Sequence, residues 1–185
     1  MININDVKSG MSIKIDGNIF TVIEFQHVKP GKGPAFVRMK LKNMRTGATI
    51  DNTFNSNVKL EQAHINKKEM QYLYSMGESF FFMNTEDFEQ LEVSKSILGD
   101  NTNYLKENLV VTIIMYEGEI IGINMPDKVS LKVTETEAAV RGNTTSSAMK
   151  DATFETGYTT KVPLFIEVGE ELLINTNDGK YSSRA

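Results

Sequence analysis

Ile19-Phe20-Thr21-Val22-Ile23-Glu24-Phe25, then Lys29-Pro30-Gly31-Lys32-Gly33-Pro34, then Ala35-Phe36-Val37-Arg38-Met39-Lys40-Leu41: this stretch decides how the chain folds. The flanks are rich in β-branched and aromatic residues, and Ala35 to Leu41 alternates, with Ala35, Val37, Met39 and Leu41 on one face and Arg38 and Lys40 on the other. Phe20 to Phe25 and Ala35 to Met44 therefore read as strands. Between them, Pro30-Gly31 suits the central pair of a type II turn, because proline sets φ at the second position and glycine accepts a positive φ at the third. Lys32 then falls just past the turn. Gly33 precedes Pro34 and is expected in extended geometry. The outcome is a stiff hairpin tip with one cation at its apex, a way to hold out a lysine as a probe or as a target for modification. The same residues also read as an ordinary surface turn with a solvated lysine. They do not read as a phosphate loop, since Gly31-Lys32 is followed by Gly33 instead of Ser or Thr and no helix follows.

Outward from the tip, strand signals continue. Met11 to Ile15 alternates, and Asp16-Gly17 makes a hairpin turn into the strand that starts at Ile19. Arg45-Thr46-Gly47 turns the chain again, and Ala48 to Phe54 runs back. Arg38, Lys40 and Lys42 fall on one face of their strand by its period of two. This is a compact antiparallel unit of some five strands, an SH3-like barrel. A second unit starts near Asn66, with Met70 to Tyr74 and Ser79 to Met83 paired across Met76-Gly77-Glu78. Ser94 to Leu98 and Tyr104-Leu105-Lys106 allow short helical turns. Leu109 to Tyr116 and Glu119 to Ile123 form a hairpin across Glu117-Gly118, and Pro126 closes the unit. A third unit opens at Val129 to Thr134, passes a polar loop from Arg141 to Met149, and ends at Leu172 to Asn175 with Asp178-Gly179. Asn108 to Gly118 and Gly169 to Gly179 echo each other in spacing, which fits two related barrels or coincidence. The expected fold is all-β, with small barrels that include five-stranded OB folds.

Charge is uneven along the 185 residues. Residues 1–64 hold nine Lys+Arg and five Asp+Glu, a net of +4. Residues 65–127 hold four and eleven, a net of −7, and residues 128–185 hold seven and eight, a net of −1. The first third is thus the part suited to face a polyanion. The chain has no cysteine, which excludes disulfides, thiolate nucleophiles and cysteine-ligated zinc, and fits a reducing cytoplasm. The N-terminus lacks the basic-then-apolar pattern of a signal peptide, and the apolar runs are of strand length, too short to span a membrane.

Residue types for catalysis are scarce. The only histidines are His27 and His64, and neither a His-Glu-x-x-His nor a Gly-x-Ser-x-Gly motif occurs. His27 lies near the tip, where it can contact RNA or order the loop, or stand as a strand-end residue with no special role. Glu86-Asp87 and Glu89 lack the spacing of a calcium loop and read as a solvated acidic face. Phe80-Phe81-Phe82 offers rings for base stacking, but alternation puts at least one of them in the core. No cofactor and no metal is expected, and the protein is expected not to be an enzyme.

Taken together, these motifs resemble the bacterial translation elongation factor P family over essentially the whole chain. The resemblance rests on Gln26-His27-Val28-Lys29-Pro30-Gly31-Lys32-Gly33, on Ala35-Phe36-Val37-Arg38 with Arg45-Thr46-Gly47, and on a C-terminal signature of Lys150-Asp151-Ala152, Gly157, Val162-Pro163, Ile166 and Gly169. Met70 to Tyr74 and Tyr116-Glu117-Gly118 add to it. Three positions depart from the family pattern: Thr160 replaces an aliphatic residue, Asn143 an aspartate, and Pro34 a small or polar residue.

The resemblance implies an L-shaped, tRNA-like molecule of three barrels: a KOW-like SH3 barrel at 1–64, a central OB domain at 65–127 and a C-terminal OB domain at 128–185. It implies a cytoplasmic monomer that binds the 70S ribosome, both ribosomal RNA and proteins, beside the peptidyl-tRNA. There it would promote peptide-bond formation at consecutive prolines. Lys32 would reach toward the peptidyl-transferase centre and serve as substrate of a lysine-modifying enzyme, with Lys29, Pro30, Gly31, Gly33 and Pro34 shaping the tip. His27, Arg38, Lys40, Lys42 and Arg45 would meet RNA. Arg141, Gly142, Asn143 and Thr144 would form the contact loop of the C-terminal domain. The alternative from another class is a general OB-fold RNA-binding or RNA-chaperone protein, which needs a basic groove on the later barrels. The −7 of the middle segment counts against it. An enzyme using Lys32 as a Schiff-base amine needs a desolvated lysine, which a glycine-flanked turn does not provide.

Overall fold

A computed structural model describes residues 1–138 and 148–185. Nearly every element is a strand, as the alternation and the turn residues predict. Six strands form the first sheet: β1 (Ile2–Asn3), β2 (Ser12–Ile15), β3 (Asn18–Val28), β4 (Phe36–Asn43), β5 (Thr49–Asn55) and β6 (Lys59–Gln62), in the order β1-β6-β2-β3-β4-β5. The second sheet holds β7 (Ile65–Met76), β8 (Ser79–Asn84), β9 (Gln90–Ser94), β10 (Val110–Tyr116) and β11 (Glu119–Asn124), in the order β11-β10-β7-β8-β9. A single helical turn, α1 (Lys95–Leu98), and a 3-10 turn, Gly99–Tyr104, join β9 to β10. The third sheet holds β12 (Lys128–Thr136), β13 (Met149–Phe154), β14 (Thr159–Pro163), β15 (Glu171–Asn175) and β16 (Tyr181–Arg184), in the order β14-β13-β12-β15-β16. The helical turn expected at Tyr104-Leu105-Lys106 ends at Tyr104 instead.

The chain divides into two compact units. One is Met1–Lys67 with Ile114–Gly122, and the other is Lys68–Ile113 with Ile123–Ala185. In the first, alternate residues of β2, β3 and β4 bury a core of Ile13, Phe20, Val22, Val37, Met39 and Leu41 with Ile4 and Val7. A smaller cluster in the same unit packs Ile19 and Ala63 on Ile114 and Ile121, with Met44, Ile65 and Tyr116 around them. In the second unit, Tyr72 packs against Phe82 with ring centroids 5.5 Å apart. Phe80 and Phe82 are core residues, while Phe81 faces outward and stacks on the exposed Tyr74 at 4.8 Å. The third sheet closes on Val129, Leu131, Val133, Phe154, Val162, Ile166, Leu172 and Ile174, joined by Tyr104.

Turn chemistry explains the hairpins. Asp16 and Gly17 (φ 49° and 79°), like Glu117 and Gly118 (φ 49° and 80°), take the paired positive angles of a type I′ turn, whose twist matches that of the strands. Three other hairpins share a loop headed by asparagine: Asn43, Asn84 and Asn175. Each asparagine Oδ1 accepts from the N–H two residues on, at 2.9 Å in all three. Its carbonyl accepts from the N–H of Gly47, Phe88 or Gly179 respectively. All three of those residues have positive φ, and Phe88, at 61°, is the one without glycine's freedom. The spacing echo between Asn108–Gly118 and Gly169–Gly179 therefore ends on two different turns: the first closes a two-residue hairpin, the second this longer asparagine-headed loop.

Candidate functional site

The long hairpin β3–β4 carries the lysine tip. Its last paired residues are Val28 and Phe36, so residues 29–35 form the loop beyond the ladder. Ser56 N–H bonds to the Ala35 carbonyl at 3.2 Å and ties the end of the loop to the strand beside it. Lys29, Gly31, Lys32, Gly33 and Pro34 are exposed, and Pro30 is half-buried. Lys32 is thus presented to solvent at the end of two paired strands, as expected. The backbone that does this differs from expectation. Gly31 does not take positive φ, so Pro30-Gly31 is not the centre of a type II turn. The positive φ belongs to Gly33, at 110°. A residue before proline is barred from the helical region by the proline ring, and a glycine escapes that crowding into the half of the map closed to other residues. A Cβ on Gly33 would lie 3.9 Å from Pro30 Cγ, so the loop folds back on its own proline.

The exposed face of β3, β4 and β5 presents successive rows. Nearest the tip is Val28–Phe36–Asn55, then Gln26–Arg38–Thr53, Glu24–Lys40–Asp51 and Thr21–Lys42–Thr49. Arg38, Lys40 and Lys42 do share this face, and each is exposed. His27 does not join them. It pairs with Val37, on the face that carries Phe25 and Met39 into the core, and its ring meets Phe25 edge-on at 5.5 Å. Beyond the core's edge that position leaves His27 exposed. Arg45 sits in the turn at the far end of β4, where Asn43 Oδ1 accepts from its N–H at 2.9 Å. Its Nη2 lies 3.2 Å from Glu119 Oε1, an ion pair across the smaller core cluster of that unit. Sequence reading missed Glu24, Asp51 and Glu119. The first two flank Lys40 in one row, Glu24 brought there by a bulge at Ile23 and Asp51 by the unbroken pairing of β4 with β5, and Glu119 is 74 residues from its partner.

In the C-terminal signature, Ala152, Val162 and Ile166 are core residues, and Gly157 and Gly169 have φ of 84° and 93°. Those positions are structural. Thr160 lies half-buried opposite Ala152. Lys150 is buried, and its Nζ donates to the Glu137 carbonyl at 2.6 Å. The loop residues Arg141, Gly142, Asn143 and Thr144 lie outside the described residues. Among the described residues no three His, Asp or Glu converge as metal ligands, and no helix is long and apolar enough to cross a membrane.

Comparison with known proteins matches the whole chain piece by piece. Residues 3–60 match the elongation factor P KOW-like domain, residues 65–123 its OB domain, and residues 129–184 its C-terminal domain. The chain is 55% identical over 185 residues to elongation factor P of Phytoplasma australiense, covering all of this chain and 98% of that one. It is 50% identical to elongation factor P of Moorella thermoacetica, with both chains fully covered. Among solved structures, the eukaryotic translation initiation factor 5A from Methanococcus jannaschii overlays with a TM-score of 0.52 at 23% identity, over 66% of this chain and 92% of that one. That likeness carries the fold.

Proposed function

The chain belongs to the elongation factor P family and is a translation elongation factor, and from that premise we propose that it binds the ribosome beside the peptidyl-tRNA and relieves stalling at consecutive prolines. The observation that carries this reading is Lys32, exposed at the end of the β3–β4 hairpin beside an outer face bearing Arg38, Lys40 and Lys42. In this reading residues 1–64 lie along the acceptor arm, with 65–127 and 128–185 as the further domains and residues 141–144 as the distal contact loop. Lys32 points toward the peptidyl-transferase centre and is the residue an enzyme modifies. The protein acts as a cytoplasmic monomer without cofactor or metal.

The chemistry asked of it is positional. Proline is a poor nucleophile in a rigid ring, so the slow step gains from ordering the reacting ends more than from a new acid or base. Holding the acceptor end in place lowers the entropic part of the barrier. A lysine ammonium offers a compact charge and three donors to phosphate or ribose, and Arg38 and Lys42 hold backbone without reading sequence. Arg45 is the weakest member of the set, since Glu119 already engages it.

The test is Lys32→Ala in a reconstituted translation system that makes a Pro-Pro-Pro peptide. Lys32 is exposed, so stability should change by no more than about 0.5 kcal/mol. Synthesis through the proline run should fall sharply, while a peptide without prolines is made at the wild-type rate. Wild-type rates on both templates would refute the reading.

A further inference from the structure

We propose that Asn5 is a positioning residue for Lys32. Its side-chain amide holds the turn at Ser56, Ser56 holds the end of the tip loop, and the N-terminal segment thereby fixes where the lysine is presented. This rests on the reading above that Lys32 acts from the end of the β3–β4 hairpin, and it adds what steadies that end.

The hairpin is held along one edge. β2 pairs with β3 only from Asn18 to Thr21, and the bonds of Val22 to Gly10 and Met11 end that contact. From Glu24 to Val28, β3 pairs with β4 alone among the described residues. At the other edge β5 follows β4 as far as Asn55, opposite Phe36. There the chain turns, with Val58 N–H donating to the Asn55 carbonyl at 3.1 Å. Inside that turn Ser56 N–H donates to the Ala35 carbonyl at 3.2 Å, the one backbone tie that the described residues give the loop beyond the ladder.

Asn5 meets the same residue. Its Nδ2 donates to the Ser56 carbonyl at 2.9 Å and to Asn3 Oδ1 at 3.1 Å, and Asn3 Oδ1 also accepts from the Asn5 N–H at 3.1 Å. Both atoms facing the amide nitrogen are acceptors, which fixes how the amide is turned. The backbone beneath it is anchored. Asn5 lies in the 3-10 turn Ile4–Asp6, Ile4 and Val7 are buried in the core, and Ile4 N–H donates to the Val58 carbonyl at 3.1 Å. Ser56 is thus held at both of its peptide groups, by its N–H toward Ala35 and by its carbonyl toward Asn5. Without the Asn5 amide, water satisfies that carbonyl at little cost to folding but does not hold it still. The looser turn weakens the bond to Ala35. Lys32 then has more arrangements to lose when it orders a reacting end, and a factor that works by positioning is slowed by such freedom. Binding strength rests on charged contacts such as those of Arg38 and Lys42 and is untouched.

The experiment measures the rate of proline–proline bond formation in the reconstituted system against the concentration of the factor, which separates the maximal rate from the half-saturating concentration. The proteins are wild type, Asn5→Ala, Asn57→Ala and Lys32→Ala, purified from one host, with wild type and the two asparagine variants matched in the mass of the peptide that carries Lys32. Asn57 is exposed in the same turn and serves as the control. Asn5→Ala should lower the maximal rate by about two- to fivefold, the weight of one neutral hydrogen bond, and leave the half-saturating concentration unchanged. Its Ser56 amide should exchange faster with solvent, while the amides of Val37 and Leu41 exchange as in wild type. Asn57→Ala should match wild type throughout. A wild-type maximal rate in Asn5→Ala, with Lys32→Ala impaired, overturns the proposal alone. So does an equal loss in Asn57→Ala, or a loss that comes with a raised half-saturating concentration and faster exchange at Val37 and Leu41, the mark of general loosening. If Lys32→Ala itself matches wild type, the reading of Lys32 fails and the proposal with it.

Discussion

Replacing Gly179 with alanine tests how the second unit is held together, and its cost can be worked from the contacts. Gly179 has a φ of 72°, and a Cβ built there would overlap the Tyr158 hydroxyl and come within 2.9 Å of the Tyr104 hydroxyl. Two costs add. The left-handed backbone strains an alanine by about 1 kcal/mol. The second cost is displacement of Tyr158. That side chain donates to the Gly179 carbonyl at 2.8 Å and meets Tyr104 edge-on at 5.4 Å. Losing the hydrogen bond costs about 1 kcal/mol, and disturbing the aromatic pair about 1 kcal/mol more. The whole should be about 3 kcal/mol. Native-state hydrogen exchange on the amides of β12 and β15 reads it locally, since these strands enclose the core that Tyr104 joins. Tyr158→Phe alone should cost about 1 kcal/mol, the hydrogen bond. In the Tyr158→Phe background the Tyr158 hydroxyl is gone, so Gly179→Ala should cost only the strained backbone and the remaining close contacts with the Tyr158 ring and the Tyr104 hydroxyl, about 2 kcal/mol at most. Additive costs in the double variant would refute the steric argument.

Burial, and then the nearby Tyr158, Asp100 and Asp178, push the Tyr104 phenol up from 10.0 to about 12. The unfolded chain loses that proton near its ordinary value while the folded chain keeps it. Stability is thus unaffected below pH 10 and falls between pH 10 and about 12, by on the order of 2 kcal/mol. Urea unfolding at several pH values, compared with Tyr104→Phe, should show that the variant lacks this fall. Phe88 is 68% exposed with φ at 61°, so Phe88→Gly should relieve strain and raise stability by about 0.5–1 kcal/mol, read from the urea midpoint of the second unit.

Much of this molecule was legible in the residues themselves. The alternation from Ala35 to Leu41 announced a strand with one buried face. Asp16-Gly17 and Glu117-Gly118 announced tight hairpins, because both the side-chain period and the preference for positive φ are local properties of the chain. The lysine at the tip, flanked by proline and glycine, followed from the same kind of evidence, and the family follows from motifs spread over the whole length. What failed was local geometry that answers to non-local packing. Gly33, and not Gly31, takes the positive angle, in a loop that starts and ends at the ladder's last pair, Val28 and Phe36. The bulge at Ile23 shifts β3 by one residue and so brings Glu24 opposite Lys40. No pattern within β3 marks that shift, since it satisfies the core residues on both sides of it. His27 lands on the inner-facing side for the same reason of register. Arg45 meets Glu119, and Gly179 fits under two tyrosines, across gaps in sequence that no window spans. Side-chain period and turn preference are carried by neighbouring residues and can be read there. Which charges oppose one another depends on how separate strands slide until their buried faces match, and only the assembled sheet settles that.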